Sequence, residues 1–145
     1  MALSADVIYE TASPIVQAVP ALNGDICYAG ALIGIDGNGY AAPWADTSGY
    51  VFAGLAMRQV TGDTSASPVP ECEINTSGPI LKKVAVTGST GQTDVGVLVF
   101  ATDDNSLELG LTPTNVKAVG RVSRWYSGTT CDVQLFTPAE YLALN

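Results

Sequence analysis

The sequence predicts an all-β protein, a single small β-barrel or β-sandwich with at most one or two short helices. Its fifteen Gly and eight Pro residues, spread among many Thr, Ser and Val, are typical of short strands joined by tight turns. Apolar and polar residues alternate with a period of two over residues 80–136, and no segment sustains the period of a helix. A chain of 145 residues suits one domain with its own core.

The N-terminal residues 1–23 are predicted to form an extended arm, followed by a barrel or sandwich domain over residues 24–145. Pro14 and Pro20 cannot donate to a central ladder. The segment between and beside them is apolar, with Ile15, Val16, Ala18 and Val19. Because a solvated tail would be more polar, we expect the arm to lie against a partner. The alternative is that it forms an edge strand of its own barrel.

The first half of the domain is predicted to contain three strands. Residues 36–39, Asp-Gly-Asn-Gly, are a strong hairpin signal, because Gly and Asn tolerate the positive φ of tight turns. They separate a buried strand over residues 26–35 from a return strand over residues 40–44. A third strand is predicted over residues 50–60, before a loop rich in Thr, Ser and Pro over residues 62–70.

The second half continues the pattern, giving roughly eight strands in all. Simple alternation places Ile80, Lys82, Val84 and Val86 on one strand face, and later strands are expected near residues 95–100, 107–111, 116–122 and 131–136. Thr137, Pro138 and Glu140 have the spacing of a capping box with proline at the first position. They predict a terminal helix of one or two turns.

The charges argue against nucleic acid as a partner. Six Lys plus Arg against fourteen Asp plus Glu give a net charge of −8, and no basic cluster is longer than Lys82-Lys83. A surface that follows phosphates needs clustered cations. Charged residues make up only 14% of the chain, below the usual ~25%. We therefore expect part of the surface to contact other subunits.

Catalytic chemistry is not expected. The chain has no His, which removes the commonest general base and metal ligand, and none of Lys82, Lys83 and Lys117 stands in a recognisable Ser-x-x-Lys setting. Asp103-Asp104 is interpreted as a polar turn in preference to an acid–base pair or a calcium site. We expect no required metal or cofactor, and no enzyme activity.

The three cysteines lack a metal-binding spacing. Cys27 and Cys131 lie in apolar strand-like runs and are predicted to be buried free thiols, as in a protein assembled in a reducing cytoplasm. One disulfide with a spare cysteine is the alternative. The start of the chain lacks the charged and apolar regions of a signal peptide. No apolar run reaches the ~18 residues of a membrane span, so no membrane contact is expected.

Arg121, Arg124, Trp125 and Tyr126 form the densest group of cationic and aromatic residues. Such residues are enriched at interface hot spots. The group also suits stacking on a sugar, or a strand end where Trp125 caps the core and the arginines are solvated. These three interpretations remain open at the level of sequence.

The order of strands and glycines resembles the decoration, or head cement, proteins of tailed-bacteriophage capsids. The matching stretches are GDICYAGALIGIDGNGYAAP, YVFAGLAMRQV, VGVLVFATDDNSLEL and KAVGRVSRWYSGTTCDVQLF, within residues 22–136. The resemblance implies a β-tulip-like fold and a structural virion protein. Such proteins form homotrimers on the outer surface of the head, at three-fold and quasi-three-fold positions, and stabilise the capsid.

That resemblance implies two partners, the major capsid protein and other copies of this chain. It implies assembly in the host cytoplasm and a final location on the outer capsid surface. The residues expected to bind the capsid or a neighbouring subunit are Pro14, Ile15, Val16, Val19, Arg121, Arg124, Trp125 and Tyr126. The alternative function is a carbohydrate- or ligand-binding β-module.

Overall fold

A computed structural model describes residues 16–110 and 117–145, and this part of the chain is mostly β-structure. The all-β prediction is confirmed, with one seven-residue helix among the described residues, α1 (Pro138–Leu144). The strands, numbered in chain order, are β1 (Val16–Pro20), β2 (Ile26–Cys27), β3 (Leu32–Ile35), β4 (Ala41–Pro43), β5 (Val51–Ala56), β6 (Val60–Thr61), β7 (Glu71–Asn75), β8 (Ile80–Thr87), β9 (Leu98–Ala101), β10 (Leu107–Glu108), β11 (Ala118–Ser127) and β12 (Thr130–Leu135).

The first sheet is antiparallel and has the strand order β1-β7-β5-β3-β4. Its two edge strands approach each other just after β1, where Ala21 forms an isolated bridge with Ala41. β5 and β7 come so close that a side chain at Gly54 would place its Cβ 2.1 Å from the backbone oxygen of Asn75. Glycine is therefore required there, and its φ of +148° is one that L side chains rarely adopt.

The second sheet is a closed barrel with the order β10-β8-β12-β11-β9. Most neighbours are antiparallel, but β10 and β8 are parallel and pair over only two residues each. Where β11 crosses β12, a Cβ at Gly120 would lie 2.5 Å from the backbone oxygen of Gln134. A residue without a side chain lets these two strands curve closely around the barrel.

Two groups of buried side chains form the interior. The smaller group lies between the first sheet and β2, which pairs with β6 in a two-stranded sheet, and it contains Val19, Cys27, Ala31, Ile33, Ala41, Ala53, Ala56, Cys72 and Ile74. The larger group fills the barrel and includes Leu32 and Phe52 from the first sheet, together with Trp44, which directly follows β4. The first sheet therefore buries a second set of side chains against the barrel.

Trp44 is the main link between the first sheet and the barrel. Its side chain is 3% exposed, and its indole N–H donates to the backbone oxygen of Ala101 in β9 at 2.9 Å. Its ring meets those of Tyr50, Phe52 and Tyr141 edge to face, with centroids 6.4, 5.7 and 5.9 Å away. Edge-to-face packing suits the charge distribution of aromatic rings.

The C-terminal helix covers one end of this shared core. Thr137 and Glu140 form the predicted capping box, which satisfies amide groups that the first turn would otherwise leave unpaired. Tyr141 is 2% exposed and packs into the core. The side chain of Asn145 bonds both the N–H and the oxygen of Ala118 at 3.0 Å, which fixes the helix to the start of β11.

The structure corrects the predicted boundary at residue 23. Residues 16–20 are not separate from the domain, because they form β1 and pair with all five residues of β7. This is the edge-strand alternative, and Pro20 stands at the strand end where a missing N–H is tolerated. The remaining residues of the predicted arm, 1–15, lie outside the described residues.

Two predicted strands also differ. The strand expected over residues 26–35 is divided into β2 and β3 by a turn in which Ala31 N–H bonds Tyr28 oxygen and Gly30 has a φ of +83°. The simple alternation expected in β8 fails at Lys82 and Lys83, where a bulge shifts the register. Short paired segments of this kind also raise the strand number above the predicted eight.

Replacing Trp44 by Ala should lower the free energy of unfolding by about 3–5 kcal/mol, because it empties a buried aromatic site at the junction of two sheets. Chemical denaturation followed by far-ultraviolet circular dichroism measures this. The matched control is Tyr28→Ala, since Tyr28 is 54% exposed and its loss should cost less than about 0.5 kcal/mol. Equal effects of the two substitutions would contradict the assigned role of Trp44.

Candidate functional site

The residues predicted to bind a partner from the arm have different positions. Pro14 and Ile15 lie outside the described residues. Val16 is exposed at the beginning of β1, whereas Val19 is only 7% exposed and belongs to the core of the first sheet. Successive side chains of a strand point to opposite faces, so Val19 fills the protein's own interior instead of facing a partner.

The other four predicted residues share β11. Arg121 and Arg124 are exposed, and their guanidinium groups lie over the rings of Phe136 and Tyr126 at 5.7 and 4.7 Å. Trp125 is half-buried against the larger core, and its indole N–H donates to the oxygen of Gly128 at 3.0 Å. Trp125 thus stabilises the β11–β12 hairpin, while the arginines remain available at the surface.

Asp132 in β12 lies opposite a bulge in each neighbouring strand. In β8, both Lys82 and Lys83 stand opposite Asp132, and Lys83 has a φ of +53°, in the left-handed region. In β11, the register shifts at Ser123, next to Arg124, which pairs with Asp132. Bulges release backbone groups from the ladder and redirect side chains, so these two bring several polar groups to one place.

The carboxylate of Asp132 binds a backbone group that the β8 bulge releases and a side chain of β11. Its Oδ1 atom accepts the backbone N–H of Lys83 at 2.9 Å, and its Oδ2 atom accepts the hydroxyl of Tyr126 at 2.9 Å. The Lys83 ammonium lies 5.4 Å from the centre of the Tyr126 ring, which also carries the Arg124 guanidinium. We refer to Asp132, Lys82, Lys83, Arg124 and Tyr126 as the Asp132 cluster.

Electrostatics keep Asp132 ionised. Burial by itself would raise the pKa of Asp132, but the Lys83 N–H, the Tyr126 hydroxyl and the positive charges of Lys82 and Arg124 outweigh it and lower the pKa below its ordinary value. The hydrogen bond to Asp132, together with burial, raises the pKa of Tyr126. Both groups therefore keep one protonation state around neutral pH.

The Asp132 cluster suits recognition better than proton transfer. A carboxylate that stays ionised and has both oxygens occupied is a poor general acid or base at neutral pH. Three of the six cations of the chain, Lys82, Lys83 and Arg124, surround it. Sequence reasoning identified Arg124 and Tyr126 but missed the two lysines and Asp132. Two features of the sequence could have indicated them: the adjacent lysines interrupt an alternating strand, and an acidic residue stands between the apolar Cys131 and Val133.

A groove runs beside the Asp132 cluster, between β8 and the start of β3. Its volume is about 370 Å³, and its walls combine apolar side chains with a polar end at Asp104 and Asn105. The apolar lining consists of Gly30, Leu32, Leu81, Val84, Ala85 and Leu107. A second hollow of about 420 Å³ continues from this polar end past Tyr28.

All three thiols are buried and free in the structure. Cys27 and Cys72 are hydrogen-bonded neighbours, and this bond, followed by burial, raises the pKa of the Cys27 thiol. The Cys131 sulfur lies 3.2 Å from the Ser89 hydroxyl. All three side chains are completely buried, so these positions have the character of packed core residues.

Residues 16–110 and 117–145 contain no group of three or more His, Cys, Asp or Glu side chains that could hold a metal ion. In the same part of the chain, no helix has both the length and the apolar character needed to cross a membrane.

Comparisons of the chain with protein-family models, with curated proteins and with solved structures gave no match. The function is therefore argued from the geometry of the fold and of its surface.

The charge of Asp132 should stabilise the fold in a defined pH range. Since its folded pKa lies below the ordinary aspartate value of about 3.9, its contribution is complete above that pH and is lost as the pH falls through the folded value. The free energies of unfolding of the wild type and of Asp132→Asn, measured in urea, should differ most at neutral pH and converge as the pH falls through the folded pKa of Asp132. Glu71→Gln, at an exposed position of β7, should show a smaller difference. A difference in the free energy of unfolding between the wild type and Asp132→Asn that does not change with pH would contradict this role.

The thiols should react slowly in the native protein. A colorimetric thiol reagent is expected to label all three cysteines only after denaturant is added, because each side chain is fully buried. A surface variant, Ser127→Cys, provides a matched reactive control, since Ser127 is exposed. Rapid labelling of the wild type without denaturant would show that these strands open readily.

Proposed function

We propose that this chain is a structural virion protein that binds the outside of an icosahedral phage head as a homotrimer and stabilises it. The observation that carries the proposal is the free outer edge of β1, directly after the N-terminal residues 1–15. An edge strand offers backbone donors and acceptors that a strand of another chain can pair with. A decoration protein needs attachment of this kind, because it has to bridge subunits that are already folded.

The hydrogen bonds around β7 define which groups of β1 are free. Ala21 N–H donates to Pro70 oxygen, and on the other side of β7 Met57 N–H donates to Glu73 oxygen. Because backbone groups alternate in direction along a strand, Gln17 and Val19 bond β7, while Val16 and Ala18 point away from it. No described strand pairs with that outer side along residues 16–20, and β4 reaches it only beyond the strand, where Leu22 N–H donates to Ala41 oxygen.

The surface composition supports a protein that contacts other subunits. Several large apolar side chains are exposed, among them a run of Val95, Val97 and Leu98 at 39–40% exposure beside β11. Leu98 pairs with Arg121, one of the predicted interface residues. Apolar side chains next to an arginine have the composition of an interface core and its anchor.

The alternative function, a sugar-binding module, has less support. Such modules stack sugars on exposed aromatic faces, but Tyr126 already carries the cations of Lys83 and Arg124, and Trp125 is half-buried. The described residues present no row of exposed aromatic rings. A carboxylate-binding surface fits the Asp132 cluster better.

Deleting residues 1–14 should separate the roles of the arm and of the domain. The truncation ends before β1, so we expect a melting temperature within a few degrees of the wild type. Capsid binding should largely disappear, because the arm is expected to bind the capsid or a neighbouring subunit, and either loss removes the high effective concentration of three attachments on one trimer. Sedimentation with expanded heads built from the cognate major capsid protein measures the occupancy.

The control for this deletion replaces residues 1–14 with a Gly-Ser sequence of equal length. It should bind heads as poorly as the truncated chain. Unchanged head occupancy in both variants would refute attachment through the arm, and failure of the intact chain to bind heads at any concentration would refute the proposed function.

A further inference from the structure

The barrel has a gap along β8. Its partner on one side, β10, pairs only with Val86 and Thr87, although β8 begins six residues earlier at Ile80. On the other side, β12 pairs with β8 from Ile80 to Ala85. One edge of residues 80–85 therefore has no strand partner within the described part of the chain, and the groove of about 370 Å³ opens along it.

Backbone groups of β8 point into this gap. Two hydrogen bonds show which backbone groups of β8 face β12. Val86 N–H donates to Thr129 oxygen, and Pro79 oxygen accepts from Leu135 N–H. Because backbone groups alternate along a strand, every second residue of β8 faces the opposite side. The bulge at Lys83, whose N–H binds Asp132, resets this alternation. Lys82 and Ala85, on either side of the bulge, are left with their backbone groups on the gap side.

The side chains along the gap define the partner that fits. Those lining the groove, including Leu32, Leu81 and Leu107, form an apolar slot with Asp104 and Asn105 at its polar end. The outer face of β8 carries the exposed ammonium groups of Lys82 and Lys83. An extended segment with apolar side chains on one face and carboxylates on the other matches both surfaces.

Residues 6–10 of this chain have that pattern. Their sequence, Asp-Val-Ile-Tyr-Glu, is rich in residues that favour strands. In an extended conformation Val7 and Tyr9 share one face, while Asp6, Ile8 and Glu10 share the other. The first face suits the apolar slot, where Asp104 and Asn105 can accept the Tyr9 hydroxyl, and the second places two carboxylates beside the lysines.

We propose that residues 6–10 of one copy add as a strand to the β8 edge of a second copy. This inference deepens the proposed function, on which it rests, by naming the contact that holds the trimer together. The donor segment and the acceptor edge are different surfaces of one chain. Such a head-to-tail contact closes into a ring when the rotation between copies permits, and a three-membered ring is the proposed trimer.

A charge swap in the full-length chain tests this contact. Lys82→Glu and Glu10→Lys should each weaken self-association about fivefold, as expected for loss of an ion pair at the rim of an interface, and the double variant should restore it. Sedimentation velocity over a range of protein and salt concentrations measures the association. Lys117→Glu makes the same charge change away from β8 and should leave the mass unchanged.

A second variant tests the apolar face of the donor segment. Val7→Asp changes no described contact, so the domain should keep its melting temperature, while self-association should weaken at least tenfold because a carboxylate cannot enter the apolar slot. Normal association of this variant would overturn the proposal.

The proposal would also be overturned if the wild type stayed monomeric at all concentrations, or if the double variant associated as weakly as the single variants. A third contrary result would be a monomer whose melting temperature falls with Lys82→Glu and recovers when Glu10→Lys is added. The last result would place the segment on its own β8 edge. Head binding by the same variants is scored separately. A wild type that binds heads without the charge-swap behaviour would leave the proposed function in place and remove only this contact.

Discussion

The indole of Trp44 is the contact on which the arrangement of the two sheets depends. Its N–H is buried and needs an acceptor, and the backbone oxygen of Ala101 supplies one from the barrel. The rest of the ring fills the space between Phe52 of the first sheet and Tyr141 of the terminal helix. One side chain therefore contacts a strand of the first sheet, a strand of the barrel and the helix, and fixes their relative positions.

Asp132 has a comparable role at the surface of the barrel. A buried carboxylate is costly unless it is fully bonded, and here the Lys83 N–H at the β8 bulge and the Tyr126 hydroxyl of β11 supply its donors. The bulges in β8 and β11 turn Lys82, Lys83 and Arg124 outward. The structural requirement of the barrel thus creates the densest positive region of a chain whose net charge is −8, and this region borders the free edge of β8.

The sequence predicts the features of this protein that depend on neighbouring residues. The hairpin at residues 36–39, the loop at 62–70 and the capping box of α1 were predictable, because Gly, Pro, Asn and Thr act over a few positions. The bulge in β8 was not predictable, because regular alternation through Lys82 and Lys83 is equally compatible with the sequence. Nor was the buried state of Val19, because it depends on pairing with β7, more than fifty residues away.

The candidate site was predictable only in part for the same reason. Arg124 and Tyr126 attract attention as neighbours in sequence, but the residue that organises them, Asp132, is reached through cross-strand pairing. Lys82 and Lys83 come from a strand about fifty residues earlier. Local composition therefore identified the residues that β11 contributes to the Asp132 cluster. The residues from β8 and β12 join the cluster through the long-range register of the strands.

The strand order also imposes an order on folding. β1 can pair only after β7 has been made, so the first sheet is complete once the chain reaches Asn75, and sheets with such distant pairs form slowly. At that stage Leu32, Trp44 and Phe52 still lack the barrel that buries them. During synthesis, the first sheet therefore passes through a stage with an uncovered apolar face, which ends only when β12 and the helix that follows it are in place.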